Sequence, residues 1–183
     1  MLTIVFFIAV TSAALLVALL FWSIAKPAQR VWPPPSAQVG WQFWLVWVVV
    51  GLLIFATLYI GIADYGSLDL DAWPWRVVGG VLLVLGNALA WWGVAALGSR
   101  PTTGLAGDLA TGGPYRFTRN PQYIGDILVF AGFVLAANSW LALWPALLAI
   151  ISAFIAPFSE EPWLEARLGD AYRDYKRRVR RFI

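Results

Sequence analysis

The chain contains no cysteine and no histidine, and only 13% of its 183 residues are charged. Without cysteine there is no disulfide, no thiolate nucleophile and no soft metal ligand, and the redox compartment cannot be read from the chain. Without histidine, the usual proton shuttle near neutral pH and the commonest zinc ligand are both missing. Any catalysis has to manage without either. The shortage of charge also excludes an ordinary soluble domain, in which about 25% of residues carry one.

What is present instead is apolar: 61% of the residues are hydrophobic. The runs Leu2 to Ala25, Trp41 to Ala63, Val77 to Leu97 and Trp140 to Phe158 each approach or exceed the ~20 residues that cross a bilayer as helix. A fifth run, Ile124 to Ala137, has about 14 residues and reaches only about 21 Å. The first run starts at the initiator methionine, with no basic residue ahead of it and no small-residue cleavage signal behind, so a retained span is expected rather than a cleaved signal peptide. The fold class expected is all-α: a polytopic membrane helix bundle of about five transmembrane segments.

Loop charges set the expected orientation. The first connection carries Lys26 and Arg30, the second Asp64, Asp69 and Asp71 with Arg76 at its edge, and the third Arg100, Arg116 and Arg119 against Asp108. Arg167, Arg173, Lys176, Arg177, Arg178, Arg180 and Arg181 follow the last run. With five crossings these signs alternate under the positive-inside rule, which puts the N-terminus outside and both the 98–122 loop and the C-terminus in the cytoplasm. With four, the third loop and the tail fall on opposite sides. The short fifth run therefore reads as half of a helical hairpin with the last one, turning at Asn138-Ser139, followed by a short C-terminal cytoplasmic helix. Residues 1–97 form three N-terminal spans and residues 98–183 a loop, hairpin and basic tail, together one integral membrane domain.

Several features have ordinary readings. Trp32, Trp41, Trp44, Trp73, Trp75, Trp140 and Trp163 lie near span ends, where indoles anchor at the interface. Pro33-Pro34-Pro35 reads as a stiff linker. Gly79, Gly86 and Gly93 are seven apart and line one helix face, as close helix packing in lipid requires. Asn87, deep in the same span, is expected to make an interhelical hydrogen bond, with a place in a cavity wall as the alternative.

The stretch GGPYRFTRNPQYIGD, residues 112–126, is too polar for its surroundings. Read conservatively, it is a helix start: Asn120 as N-cap, Pro121 at the first helical position and Gly112-Gly113-Pro114 as the preceding turn. A second polar cluster, Glu160 and Glu161, follows the last apolar run. A hairpin brings the two together, placing Asn120, Tyr123 and Asp126 beside the glutamates. Polar groups at such a boundary usually line a cavity, since lipid penalises them.

Gly113-Pro114-Tyr115-Arg116, Arg119-Asn120-Pro121 and Tyr123-Ile124-Gly125 together resemble the G-P-Y-R-x-x-R-H-P-x-Y-x-G signature of the isoprenylcysteine carboxyl methyltransferase and phospholipid methyltransferase superfamily. Glu160-Glu161-x-x-Leu164 and Gly169-x-x-Tyr172-x-x-Tyr175 resemble its E-E-x-x-L and closing segments, so the resemblance spans residues 98–183. It implies methyl transfer from S-adenosylmethionine to a lipophilic or small-molecule acceptor at the cytoplasmic boundary of the membrane. It also implies cofactor contacts at Asn120, Tyr123, Glu160 and Glu161, with Arg116 and Arg119 as further candidates, and acceptor orientation by Arg180 or Arg181. Asn120 departs from the pattern, standing where the family has histidine. It can donate and accept hydrogen bonds but takes no charge near neutral pH. No motif asks for a metal or a nucleic acid, and none identifies a protein partner. Two alternatives stay open: an NADPH-dependent membrane reductase of the sterol or enone type, whose helix start is similar, and a non-catalytic membrane protein that keeps the fold.

Overall fold

The structure, a computed structural model, describes residues 1–36, 38–70 and 72–182. Asp71, one of the acids of the second connection, lies outside them. Seven α-helices form among the described residues: α1 (Leu2–Ala25), α2 (Trp41–Ala63), α3 (Ala72–Leu97), α4 (Ser99–Thr102), α5 (Pro121–Ala137), α6 (Trp140–Leu168) and α7 (Asp170–Arg178). No strand occurs among the described residues. In hydrocarbon every backbone polar group must be satisfied within its own segment, so runs this apolar have to be helical. Large side chains such as Phe7, Phe55, Ile62 and Val84 stand exposed around the outside, as lipid-facing residues do.

Four helices, α1, α2, α3 and α6, are long and apolar enough to cross a membrane. α5 has 17 residues, about 25 Å of helix, and begins three residues before the apolar run because Pro121 to Tyr123 are already helical. Leu2, Val5 and Phe6 of α1 pack with Ala56 and Ile60 of α2, Phe133 of α5 and Ala142 of α6 at one end of the bundle. Leu20, Val46, Tyr123 and Ala156, from the opposite ends of the same helices, pack together at the other. α1, α2, α5 and α6 therefore traverse the bundle, with α3 packed along α5, and the two chain termini lie at opposite ends.

The glycine stripe does what its spacing suggests. A Cβ on Gly79 would fall 2.7 Å from the Gly132 carbonyl oxygen, and one on Gly86 would fall 2.7 Å from that of Gly125. Gly125 and Gly132 of α5 are thus the reciprocal seven-residue pair, and α3 runs antiparallel to α5 with their backbones in contact. The α5–α6 hairpin turns where expected: Asn138 adopts the left-handed conformation (φ 49°, ψ 43°) and Ser139 caps α6 by accepting from the Ala142 N–H.

Four expectations need correction. The last helix does not stop at Phe158 but runs ten residues further, to Leu168, so both glutamates are helical. Successive helical residues point about 100° apart, and the pair cannot share one environment. Trp32 and Trp163 are not interfacial anchors; both are buried, whereas Trp41, Trp44, Trp73, Trp75 and Trp140 are exposed near helix ends. Pro33 and Pro34 are buried as well, so the proline run is packed structure rather than a free spacer. Asn87 donates to the carbonyl of Leu83 in its own helix (2.9 Å) instead of across to another, and lines a cavity inside the bundle, the alternative place expected for it.

Candidate active site at the membrane boundary

Glu161 organises the first part of the site. Its side chain is buried (2% exposed) and accepts two bonds from Arg119, Nε to Oε1 at 3.2 Å and Nη2 to Oε2 at 3.0 Å. Arg181 makes a second bidentate pair with the same carboxylate, at 3.0 and 2.9 Å. Asn120 Nδ2 adds a contact to Oε1 at 3.3 Å. A carboxylate so enclosed has no lone pair to spare, and the pairing holds the Arg181 guanidinium above its ordinary pKa.

The same residues fasten the tail through its backbone. Arg119 Nη1 donates to the carbonyls of Lys176 and Val179, the Arg119 amide to that of Arg180, and both Thr118 Oγ1 and Asn120 Nδ2 to that of Arg181. Asn120 thus sits at the N-cap position of α5 without capping it, its side chain being spent on Glu161 and the tail. Phe182 then stacks on Phe154 at 5.0 Å, and Arg181 lies over the Phe158 ring.

Glu160, one residue earlier, looks elsewhere. Its Oε1 accepts from the Trp32 indole at 2.6 Å and from the Tyr123 hydroxyl, while Oε2 has no protein partner among the described residues. Trp32 is held in turn by Ser159, whose hydroxyl donates to its carbonyl, and by Gly104, where a Cβ would collide with the indole at 2.5 Å.

Glu160 lines a cavity of about 110 Å³ between the 101–110 segment, the end of α6 and α7. Arg119, Asn120 and Tyr123 line it too, together with Asp108, Arg167 and the rings of Tyr115, Trp163, Tyr172 and Tyr175. Burial holds the Tyr115 and Tyr172 hydroxyls above the ordinary phenol value and pushes Tyr175 up to about 12, so all three stay neutral. Tyr175 donates to the Tyr115 carbonyl at 2.8 Å, which docks α7 on the loop.

A second cavity, of about 380 Å³, lies inside the bundle among α1, α2, α3, α5 and α6. Thr102, Gln122 and Tyr123 line both. Gln122 Nε2 bridges Thr102 Oγ1 (3.1 Å) and the Tyr115 hydroxyl (3.0 Å) at this shared wall.

A family model described as phospholipid methyltransferase matches residues 75–171, just over half of the chain. The protein belongs to that family. Membership implies methyltransferase activity on a lipid-related substrate. No curated protein and no solved structure matches the chain. The match begins within α3 and so takes in the glycine-packed α3–α5 pair as well as the polar motifs, and it ends before Tyr172, Tyr175, Arg180 and Arg181.

Of the candidate residues, Arg119, Asn120, Tyr123 and Glu160 face the boundary cavity, and Glu161 and Arg181 form the ion cluster beside it. Arg116 is exposed, over the neighbouring Phe117 ring, and Arg180 is exposed with, among the described residues, only its carbonyl engaged. Asp126 does not lie with the glutamates; it is about one and a half turns into α5 and lines the inner cavity. Sequence reasoning missed Trp32, Gln122 and the tyrosine cluster as site residues. Gln122 carried a signal as the polar residue between Asn120 and Tyr123 on the first turn of α5, and Tyr115, Tyr172 and Tyr175 carried one as members of the two motifs.

Proposed function

We propose that the protein transfers a methyl group from S-adenosylmethionine to a lipophilic acceptor, the cofactor occupying the boundary cavity and the acceptor the cavity inside the bundle. The observation that carries this reading is the shared wall of Thr102, Gln122 and Tyr123, across which two ligands of opposite polarity can meet. The donor set of the boundary cavity fits the cofactor: carboxylates for an amine or ribose hydroxyls, arginines for a carboxylate, and neutral tyrosine rings for a cation. When bound, S-adenosylmethionine supplies an electrophilic methyl group on a sulfonium.

The chain's own contribution is binding, alignment and exclusion of water, which an in-line displacement requires more than it requires a proton shuttle. Tyr123 and Glu160 contact the cofactor, Arg167 is the cavity's arginine not bound to Glu161, and Arg119 and Asn120 border the site while holding the tail. Glu161 and Arg181 act through the tail, which they hold across one side of the cavity, rather than on the acceptor. Arg116 and Arg180 are left for anionic head groups at the membrane surface. At about 110 Å³ the cavity is smaller than the ~300–1,000 Å³ of typical ligand sites, so cofactor entry requires it to widen. Residues 98–183 act as the catalytic subdomain, with the N-terminus outside and the site cytoplasmic, as the loop charges require.

The test is equilibrium binding of S-adenosylmethionine, S-adenosylhomocysteine and NADPH to purified protein in nanodiscs. Micromolar binding of the first two without NADPH is expected. Binding of NADPH alone overturns the reading in favour of a reductase, and no binding by folded protein favours a non-catalytic role.

A further inference from the structure

The walls of the inner cavity are selective in a way the family's description does not anticipate. Its lining is mostly aliphatic and indole, yet it includes the carboxyl group of Asp126 and contains no lysine or arginine. Among the described residues Asp126 takes part in no ion pair and no hydrogen bond, and the arginines nearest the site, Arg119 and Arg181, are committed to Glu161. A carboxyl group in an apolar wall below the membrane surface is costly unless something meets it.

Asn87 is placed to act with it. Gly86 and Gly125 touch through their backbones, and Asn87 and Asp126 are the next residues on each helix, both on the cavity wall. Asn87 has spent one N–H on Leu83 and keeps its carbonyl oxygen without a partner among the described residues. The wall therefore offers the acceptor oxygens of both residues, with the second N–H of Asn87 beside them, about 7–8 Å into α5, counted from Pro121. A phosphate or carboxylate at that depth would find a carboxyl group and no cation.

Resting on the two-cavity reading above, we propose that Asn87 and Asp126 read the acceptor's head group. They select an amphiphile whose uncharged or cationic head donates N–H or O–H hydrogen bonds, and they exclude heads bearing phosphate or carboxylate. The methyl acceptor of this chain is then a lipid without a phosphate at its reacting end.

The experiment is equilibrium binding of radiolabelled dodecylamine, 4-dodecylphenol, dodecanoate and dodecyl phosphate to the protein in phosphatidylcholine nanodiscs, with protein-free nanodiscs subtracted. The amine, the phenol or both are expected to bind at least tenfold more tightly than either anion, and the two donor arms separate a cationic from a neutral head. Asp126→Asn should reduce the preference to under threefold while Asp126→Glu keeps it, both with unchanged S-adenosylmethionine affinity. Equal binding of anions and donors, or an undiminished preference in Asp126→Asn, overturns the proposal. Selective amphiphile binding by protein that fails to bind S-adenosylmethionine supports the head-group reader and overturns the cofactor reading instead.

Discussion

The two ends of the α5–α6 hairpin are each organised by one carboxylate, and they differ in what that carboxylate holds. At the turn, Asp64 accepts from Ser67 Oγ (2.6 Å), Ser139 Oγ (2.7 Å) and the Leu141 amide (2.9 Å), tying the end of α2 to the start of α6 with neutral donors. At the open end, Glu161 takes two guanidinium groups and fixes the tail. There a second carboxylate, Glu160, also lines a cavity, with Oε2 unpartnered among the described residues. The saturated acids hold segments together, and the partly unsaturated Glu160 is the one the proposed cofactor site uses.

Breaking this contrast at its strongest point has the largest effect. Glu161→Gln leaves Arg119 and Arg181 facing each other without a counter-charge, a loss of about 3–5 kcal/mol for a buried pair. Melting temperature should fall sharply, and trypsin should cut the 173–181 segment at least tenfold faster. Asp64→Asn should act locally, lowering the melting temperature by about 2–4 °C with S-adenosylmethionine affinity unchanged.

The Asp64 effect carries a pH signature. Burial raises the Asp64 pKa, but the bonds from Ser67, the Leu141 amide and Ser139 outweigh it, leaving the group below its ordinary 3.8. Its stabilisation is present above that ordinary value and is lost as pH falls through the lowered one. The difference between wild type and Asp64→Asn should therefore persist at neutral pH and shrink in melts below about pH 4.

The smallest effect is expected for Asn120→His. Asparagine serves both Glu161 and the Arg181 carbonyl, and imidazole can keep one of these bonds, so the loss is about 1 kcal/mol. S-adenosylmethionine affinity should stay within threefold of wild type. A larger change would mean that position 120 meets the cofactor more directly than its tail contacts require.

Much of this architecture was legible because lipid leaves few options. Run lengths and loop charges led to five traverses and a hairpin at Asn138-Ser139, and the spacing of Gly79, Gly86 and Gly93 led to a backbone contact. What stayed hidden depends on direction and on distant partners. Two adjacent glutamates look like one motif in a string, and only their 100° separation on a helix divides a tail clamp from a cavity wall. Trp32 has the position of an interfacial anchor, and nothing local shows that its indole reaches Glu160 across 128 residues. Gln122 found its role, and Asp126 its place away from the glutamates, only in the folded arrangement of the two cavities.

The division between the glutamates is most directly tested by Glu160→Gln, measured as S-adenosylmethionine affinity and melting temperature on the same nanodisc sample. If Glu160 faces the cofactor and Glu161 the tail, affinity falls at least tenfold while the melting temperature stays within a few degrees of wild type. Unchanged affinity in the folded variant would contradict the assignment and remove Glu160 from the site.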